Sequence, residues 1–524
     1  MNDLGHDLAP LTPADAHNQR LAELVRAPGR VNPQPPGRYD LVVIGAGTAG
    51  LVTAAGAAGL GARVALVERE LLGGDCLNVG CVPSKALIAC ARAAADVRRA
   101  SELGVRLPGA ADEVSVDFPA VMERMRRLRA EIAVNDSVER FTQLGVDVFM
   151  GQARFTAART IEVDAGAGGG SRRLEFKKAC LATGARPAAP PIPGLAEAGY
   201  LTNTTVFSLE RLPSRLGVIG GGPIGCELAQ AFARFGARVT LLEAGPRLLG
   251  NDDPEAAERV AASLAASGVQ VRTRVRLQSV ARRGEARVLA IEDLDLQGQP
   301  LAAGELEVDA LLVAAGRAPN VEGLGLEQVG IAFDPRRGVE VNDRLRTTNR
   351  HVYAAGDVAS RYKFTHMADA QARIVIRNAL FFGRSRASAL TVPWCTYTDP
   401  ELAQVGLTEA EAEARGLDAA TFRVDLADVD RARLEGEEGL LKVVAERRSG
   451  KLLGATLVAR HAGDMISEAA LALQLGARMG DLSSTIHPYP TTAEAFRKAG
   501  DAWQRTRLTP WTRRVLERIV AWRR

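Results

Sequence analysis

One pattern occurs twice in this chain at a constant offset, and it restricts the fold more than any other feature. The apolar run 39–44 leads into Gly45-Ala46-Gly47-Thr48-Ala49-Gly50, an alanine-rich segment, and a second apolar run, 61–68, that ends in Glu68. The run 216–219 leads into Gly220-Gly221-Gly222-Pro223-Ile224-Gly225, another helical segment, and 236–243 ending in Glu243. Each glutamate follows the first glycine by 23 positions, and every landmark is displaced by 175. Strand, glycine turn, helix and acidic strand end form the unit that binds a dinucleotide. Its glycines let backbone approach a pyrophosphate, the helix start supplies N–H groups, and the carboxylate accepts from ribose hydroxyls. A glycine turn with no ligand is the rival explanation, but it leaves the matching strand, helix and glutamate unexplained. The prediction is an α/β chain with two Rossmann-like domains. Gly45, Gly47, Gly50 and Glu68 hold one dinucleotide; Gly220, Gly222, Gly225 and Glu243 hold the other.

At 524 residues the chain is long enough for three or four domains of ~150 residues each. Hydrophobic residues make up 47% and charged residues 24%, as in an ordinary globular protein. The net charge of +4 is spread without blocks, so nucleic acid is not an expected partner. No apolar run reaches ~18 residues, and the start lacks a secretory pattern. Six cysteines do not make a disulfide scaffold, and a cytoplasmic location is expected. Residues 1–38, rich in proline (Pro28, Pro33, Pro35, Pro36), are expected to be a mobile leader. A helical stretch is expected over 85–145 and a hairpin loop over 166–170. From 391 the pattern becomes α+β, with strands at 439–445 and 452–458 meeting at Ser449-Gly450 and a helix over 464–475.

Cys76 and Cys81 lie in the run Gly73-Gly74-Asp75-Cys76-Leu77-Asn78-Val79-Gly80-Cys81-Val82-Pro83-Ser84-Lys85, soon after the first glycine turn. Thiols beside a redox dinucleotide can exchange two electrons with it. Two unrelated buried cysteines, or half a metal site, are the alternatives. Zinc needs two more ligands at similar spacing, and Cys90, Cys180, Cys226 and Cys395 are scattered, so no metal is expected. A thiolate at a helix start with Lys85 one turn on has a lowered pKa.

This run resembles the redox-disulfide signature of the class I FAD-dependent pyridine nucleotide–disulfide oxidoreductases, and the resemblance extends from Tyr39 to about Ala499. Ala182-Thr183-Gly184 resembles the turn closing the first FAD segment. Ala315-Gly316-Arg317-Ala318-Pro319-Asn320 resembles the return from the nicotinamide domain, with Gly316 on the NAD(P) side. Ala355-Gly356-Asp357 resembles the second FAD fingerprint, followed at the flavin by Lys363, Phe364, Thr365 and His366. Thr398-Asp399-Pro400-Glu401 resembles the start of the dimerisation domain. The resemblance implies FAD over 39–190 and 315–390, NADH or NADPH over 191–314, and dimerisation through 391–502. It implies a Cys76–Cys81 disulfide, with Cys81 on the flavin side and Cys76 meeting the acceptor. Lys85 is implied near the flavin, and the active site is shared across a homodimer. Glu243 favours NADH because a carboxylate repels a 2′-phosphate, while Arg247 offers a competing phosphate contact.

Disulfide-reducing members carry a His-Pro-Thr-x-x-Glu run near the C-terminus. Here the run is His487-Pro488-Tyr489-Pro490-Thr491-Thr492-Ala493-Glu494. Aligned on Pro490-Thr491 and Glu494, Tyr489 takes the histidine's place. A tyrosine titrates near ~10 and is no proton shuttle at neutral pH. The tyrosine is similar to that of the mercuric reductase branch, but no Cys-x-x-Cys pair precedes Tyr39 and the last cysteine is Cys395. The expected activity is transfer of electrons from NAD(P)H through FAD and the cysteine pair to a small thiol, disulfide or metal-ion acceptor. Catalytic candidates are Cys76, Cys81, Lys85, Tyr489, Glu494 and His487, the last either packing and hydrogen-bonding near the site or, if the loop shifts, taking the proton role. The alternatives are a dihydrolipoamide dehydrogenase and a flavin-bearing sensor or membrane-surface protein. The last rests only on 503–524, where Trp511, Val515, Leu516, Ile519 and Val520 share one face of a basic helix.

Overall fold

The computed structural model describes residues 11–106, 114–166 and 170–524. The first apolar run forms the strand Tyr39–Ile44, fully apolar where buried between layers, and the second forms Val64–Glu68. Both are parallel and hydrogen-bonded, with Leu41 opposite Val64 and Ile44 opposite Val67. Val146–Met150 continues the sheet on one side, and Ser171–Leu181 pairs with Tyr39–Ile44 on the other. Val352–Ala354, far along the chain, closes this seven-stranded sheet beside Ser171–Leu181. The first half of Ser171–Leu181 belongs to an antiparallel hairpin set with Gln152–Ala157 and Thr160–Asp164. Of the loop expected over 166–170, residues 167–169 lie outside the described residues.

The second copy repeats the first. Val269–Arg272, Arg238–Leu242, Arg215–Ile219 and Ala310–Val313 form a four-stranded parallel sheet in that spatial order. A three-stranded antiparallel sheet, 275–308, lies against it. In both copies the glycine turn leaves the carboxyl end of a central strand where the strand order reverses. That is where open α/β sheets place their ligands. The C-terminal unit is a five-stranded antiparallel sheet. Its strands Leu440–Glu446 and Leu452–Ala459 meet at the turn carrying Gly450, and the helix Ala462–Leu475 follows. The chain is thus mixed α/β, with a mainly antiparallel third unit. The units are tied by buried ion pairs such as Lys442 with Asp253 at 2.8 Å and Arg92 with Glu401 at 2.7 Å.

One expectation is corrected. Within the described residues, the leader is anchored rather than mobile. Asp15 caps the helix Ala16–Val25 by accepting from Asn18 N, and Leu21, Leu24 and Val25 are buried. The helix packs on Phe118–Ile132, where Arg126 pairs with Asp15. Asn32 then bonds both backbone groups of Met150, at 2.8 and 2.7 Å, extending the sheet edge by one side chain.

Candidate active site

The two glycine turns are built to one plan. A Cβ on Gly45 would lie 2.4 Å from Ala182 O, and one on Gly50 only 1.8 Å from Gly45 O. In the second copy, Gly220 and Gly225 are confined in the same way, at 2.7 Å from Ala314 O and 1.9 Å from Gly220 O. The middle glycines differ. Gly222 has nothing within 4 Å, and the nearest atom to Gly47 is 3.8 Å away. The outer glycines therefore make the tight turn, and the middle one leaves open the space a pyrophosphate needs. Each glutamate accepts two amides: Glu68 from Ala46 at 2.7 Å and Glu70 at 2.8 Å, Glu243 from Gly221 and Gly245 at 2.6 Å each. Burial pushes the Glu68 carboxyl above its ordinary range, against those amides. Residues at both turns fit dinucleotides.

Gly74 brings the thiols to the first turn. It has φ +54°, and a Cβ there would meet Gly47 Cα at 2.6 Å. The short helix Gly74–Asn78 carries Cys76, and Cys81 opens the helix Cys81–Arg99. Asn78 Nδ2 donates to Leu72 O and Gly74 O, holding the loop between the thiols closed. Arg129 Nη1 donates to Asn78 O at 2.7 Å, and its Nη2 donates to Asn18 Oδ1 at 2.6 Å. The anchored leader thus braces the segment between the two cysteines.

Cys81 Sγ lies 3.4 Å from Thr365 Oγ1, and Thr365 opens the helix Thr365–Leu380. The sulfur therefore faces the N-terminal ends of two helices, which favour negative charge. Cys76 and Cys81 are free cysteines in this structure. A hydrogen bond from the Cys76 thiol, with help from Thr365 and the Lys85 ammonium and against burial, lowers Cys81 to about 6. The same hydrogen bond, with burial, pushes Cys76 up. One member of the pair is thus a thiolate at neutral pH and the other a thiol. Lys85 Nζ donates to Glu227 Oε2 at 2.8 Å and sits 4.4 Å above the ring of Tyr397, whose backbone N–H bonds Glu227 Oε1.

A single cavity of about 2270 Å³ runs past all of these groups. It is lined by Gly45, Gly47 and Glu68, by Gly220, Gly222 and Glu243, and by Cys76, Cys81 and Lys85. Ala182, Thr183, Gly184, Gly316, Gly356, Asp357, Lys363, Phe364, Thr365 and His366 line it too. Gly50 and Gly225 lie behind the wall, packed on the turns. Arg317 pairs with Asp75, next to Cys76, and lies 3.5 Å from Asp357. Burial raises the Asp357 carboxyl, opposed by Arg317 and Lys363. Phe364 stacks on His366 with ring centres 5.3 Å apart, and His366 Nε2 is 2.7 Å from Pro393 O.

Among the cavity residues that sequence reasoning missed are Glu227, Arg317, Tyr397 and Cys395. Arg317 sat inside a matched segment without a role, and the others carried no local signal. Burial and the neighbouring Glu401 push the Cys395 thiol up.

The C-terminal candidates do not line this cavity within one chain. They also separate from one another. Tyr489 is 72% exposed, and its hydroxyl donates to Asp430 at 3.0 Å. That hydrogen bond raises the phenol's pKa. Glu494 pairs with Arg497 rather than with a histidine. Of the two roles open to His487, packing near the site or taking the proton after a loop shift, its contacts agree with the first. Its side chain is 5% exposed, Nε2 is 3.0 Å from Glu468 and Nδ1 is 3.1 Å from Thr485 O, so both nitrogens are engaged. Arg247 is also committed, donating to the carbonyls of Leu248, Leu249, Gly250 and Asp252.

Comparison with known proteins agrees with this geometry. The family described as pyridine nucleotide-disulphide oxidoreductase matches residues 39–372, and its dimerisation domain matches 392–500. The chain is 38% identical over 469 residues to a mercuric reductase of Streptomyces lividans, covering 89% of this chain and 96% of the relative. It is 34% identical over 475 residues to a dihydrolipoyl dehydrogenase of Bacillus subtilis (strain 168), covering 88% and 97%. The Cu(II) complex of the HOCl-induced flavoprotein disulfide reductase RclA from Escherichia coli superposes with a TM-score of 0.77 at 28% identity, over 89% of this chain and 99% of that one. A duplicated dinucleotide turn, a cysteine pair braced against the first of them and these likenesses lead to one conclusion: the chain belongs to the pyridine nucleotide-disulphide oxidoreductase family, whose members use FAD and NAD(P)H.

Proposed function

We propose that this enzyme takes electrons from NADH and delivers them through Cys76 and Cys81 to a small soft acceptor, a metal ion or a thiol-bound species, in the manner of a mercuric reductase. The observation that carries this reading is the continuity of one cavity past both glycine turns and both thiols. FAD, when bound, supplies the two-electron relay between nicotinamide and sulfur. The residues that would hold it are Gly45, Gly47, Glu68, Thr183, Asp357 and Lys363, with Gly220, Gly222 and Glu243 holding the nicotinamide dinucleotide. Reduction of the Cys76–Cys81 disulfide takes two electrons and one proton, leaving Cys76 as thiol and Cys81 as thiolate. When the pair gives both electrons to the acceptor, the disulfide re-forms and the proton is released. Thr365 and Lys85 keep Cys81 ionised between these steps, and Glu227 holds the Lys85 ammonium in place.

NADH is favoured over NADPH. Glu243 presents a carboxylate to the ribose, and the nearby Arg247 is bound to four carbonyls, which removes the cation a 2′-phosphate would seek. Tyr489 reaches the acceptor from the second copy of a homodimer that shares its active sites. Its exposure on the dimerisation domain and its absence from the cavity of its own chain support this placement. The enzyme works in the cytoplasm, and its exposed C-terminal helix gives the dimer a weaker second contact, with membrane surface. A dihydrolipoamide dehydrogenase is disfavoured, because no histidine stands by Glu494 to move the thiol proton.

Anaerobic titration of the flavin-loaded protein with NADH tests the reading. The expected result is a long-wavelength charge-transfer absorbance, absent in Cys81→Ser and present in Cys76→Ser. A wild-type protein without that absorbance, or one that reduces NAD rapidly with dihydrolipoamide, overturns it.

A further inference from the structure

The helix Pro510–Trp522 lies beyond the residues matched by the dimerisation domain, and none of its side chains is buried. Thr509 caps it, accepting from Thr512 N, and Pro510 occupies its first turn. Its polar contacts are local: Arg513 with Glu517 at 3.1 Å and Arg514 with Pro510 O at 3.2 Å. Among the described residues its root is fixed where Arg507 donates to Arg448 O and covers the ring of the buried Trp503. A helix advances about 100° per residue. Trp511, Val515, Ile519 and Trp522 therefore form one stripe, which Leu516 and Val520 widen to about half the circumference. Arg513, Arg514 and Arg518 take the other half. Residues 510–524 hold five arginines against one glutamate. Trp511 is 72% and Trp522 87% exposed, one at each end of the apolar stripe.

The same helix on a second copy is a poor match for that surface, because five arginines against one glutamate would meet like charge. An anionic bilayer matches it on both counts: apolar area for the stripe, phosphates for the arginines, and an interface that suits tryptophan. We propose that this helix lies flat on an anionic phospholipid surface, with the tryptophan stripe at the headgroup–acyl boundary and the arginines on lipid phosphates. The proposal rests on the homodimer reading in one respect. A single amphipathic helix of this length binds weakly, and two per dimer act together through effective concentration.

The test is sedimentation of the flavin-loaded full-length protein with vesicles of phosphatidylcholine alone or mixed with phosphatidylglycerol. The bound fraction is expected to rise at least about tenfold with phosphatidylglycerol and to fall as salt is raised. It should be lost in a chain ended after Arg507 and in Trp511→Glu/Ile519→Glu, while both keep the dimer's mass and the NADH-induced charge-transfer absorbance. Equal sedimentation of the full and shortened chains overturns the proposal, as does binding to phosphatidylcholine alone. A shortened chain that becomes monomeric also overturns it, by assigning the helix to contact between copies. Loss of the charge-transfer absorbance in the full chain would count against the redox reading and not against this one.

Discussion

Cys81 is held as a thiolate by groups that pull in opposite directions, so its titration can be moved both ways. Thr365 stabilises the anion and Glu227 opposes it. In wild type the charge-transfer absorbance should appear as pH rises through about 6. Thr365→Val removes a hydrogen bond to the charged form, so the midpoint should move up and the absorbance at neutral pH should weaken; Thr365→Ser should restore it. Glu227→Gln removes a negative charge that opposes the thiolate, so the midpoint should move down. A spectrophotometric pH titration of the NADH-reduced protein reads all three, and midpoints moving the same way in Thr365→Val and Glu227→Gln would contradict the arrangement. At the other dinucleotide turn, Glu243→Ala should lower the ratio of kcat/KM for NADH over NADPH, measured with one acceptor. Cys81 and Lys85 were legible because they lie in one contiguous run. The contact of Thr365 with Cys81 spans 284 positions, and Glu227 reaches Lys85 across 142, so no local pattern could announce either.

At the scale of elements, apolar runs and glycine spacing located the strands that enter and follow the two turns, Tyr39–Ile44, Val64–Glu68, Arg215–Ile219 and Arg238–Leu242, because these are buried on both faces and read as continuous apolar runs; Val146–Met150, Ser171–Leu181 and Val269–Arg272, which complete the sheets, carried no such marker. The leader misled because its helix is polar on most of its surface and is followed by prolines. What fixes it is a buried arginine on another helix, a long-range fact. Arg129 spans from Asn18 to the carbonyl of Asn78, between the two cysteines. Arg129→Met should cost about 3 kcal/mol, since two charge-assisted hydrogen bonds are lost and two buried acceptors are left unpaired. Urea denaturation should record that loss, and the thiol loop should become more open to proteolysis. A variant as stable as wild type would remove the brace from the account. The loop 485–493 was legible only in part: the missing histidine was plain, but the commitment of His487 to Glu468 depends on a helix that passes beside it.

For the whole molecule, the decisive quantity is how many chains make one active site. Leu471, Leu475 and Ile486 are exposed with Tyr489 on the dimerisation domain, an apolar surface that a second copy would cover. If each site takes its thiols from one chain and its tyrosine from the other, two separately inactive variants should rescue each other. Random mixing of Cys76→Ser with Tyr489→Phe chains should restore roughly a quarter of the wild-type sites, since half the dimers are mixed and each holds one intact site. Mixed dimers that stay inactive, while Leu475→Glu monomers retain turnover, would place the whole reaction in one chain. The third unit was readable as α+β from its turn and strand pattern, and its dimerisation role came through the resemblance that begins at Thr398-Asp399-Pro400-Glu401; which of its side chains face a partner was not readable, because that lies in surfaces rather than motifs. The matched clasp at the two glycine turns has a consequence of another kind. Glu68 and Glu243 each grip one amide just after the first glycine and another two residues beyond themselves. So small a knot, tied twice with the same stitches, means that in each copy a carboxylate folds its own loop.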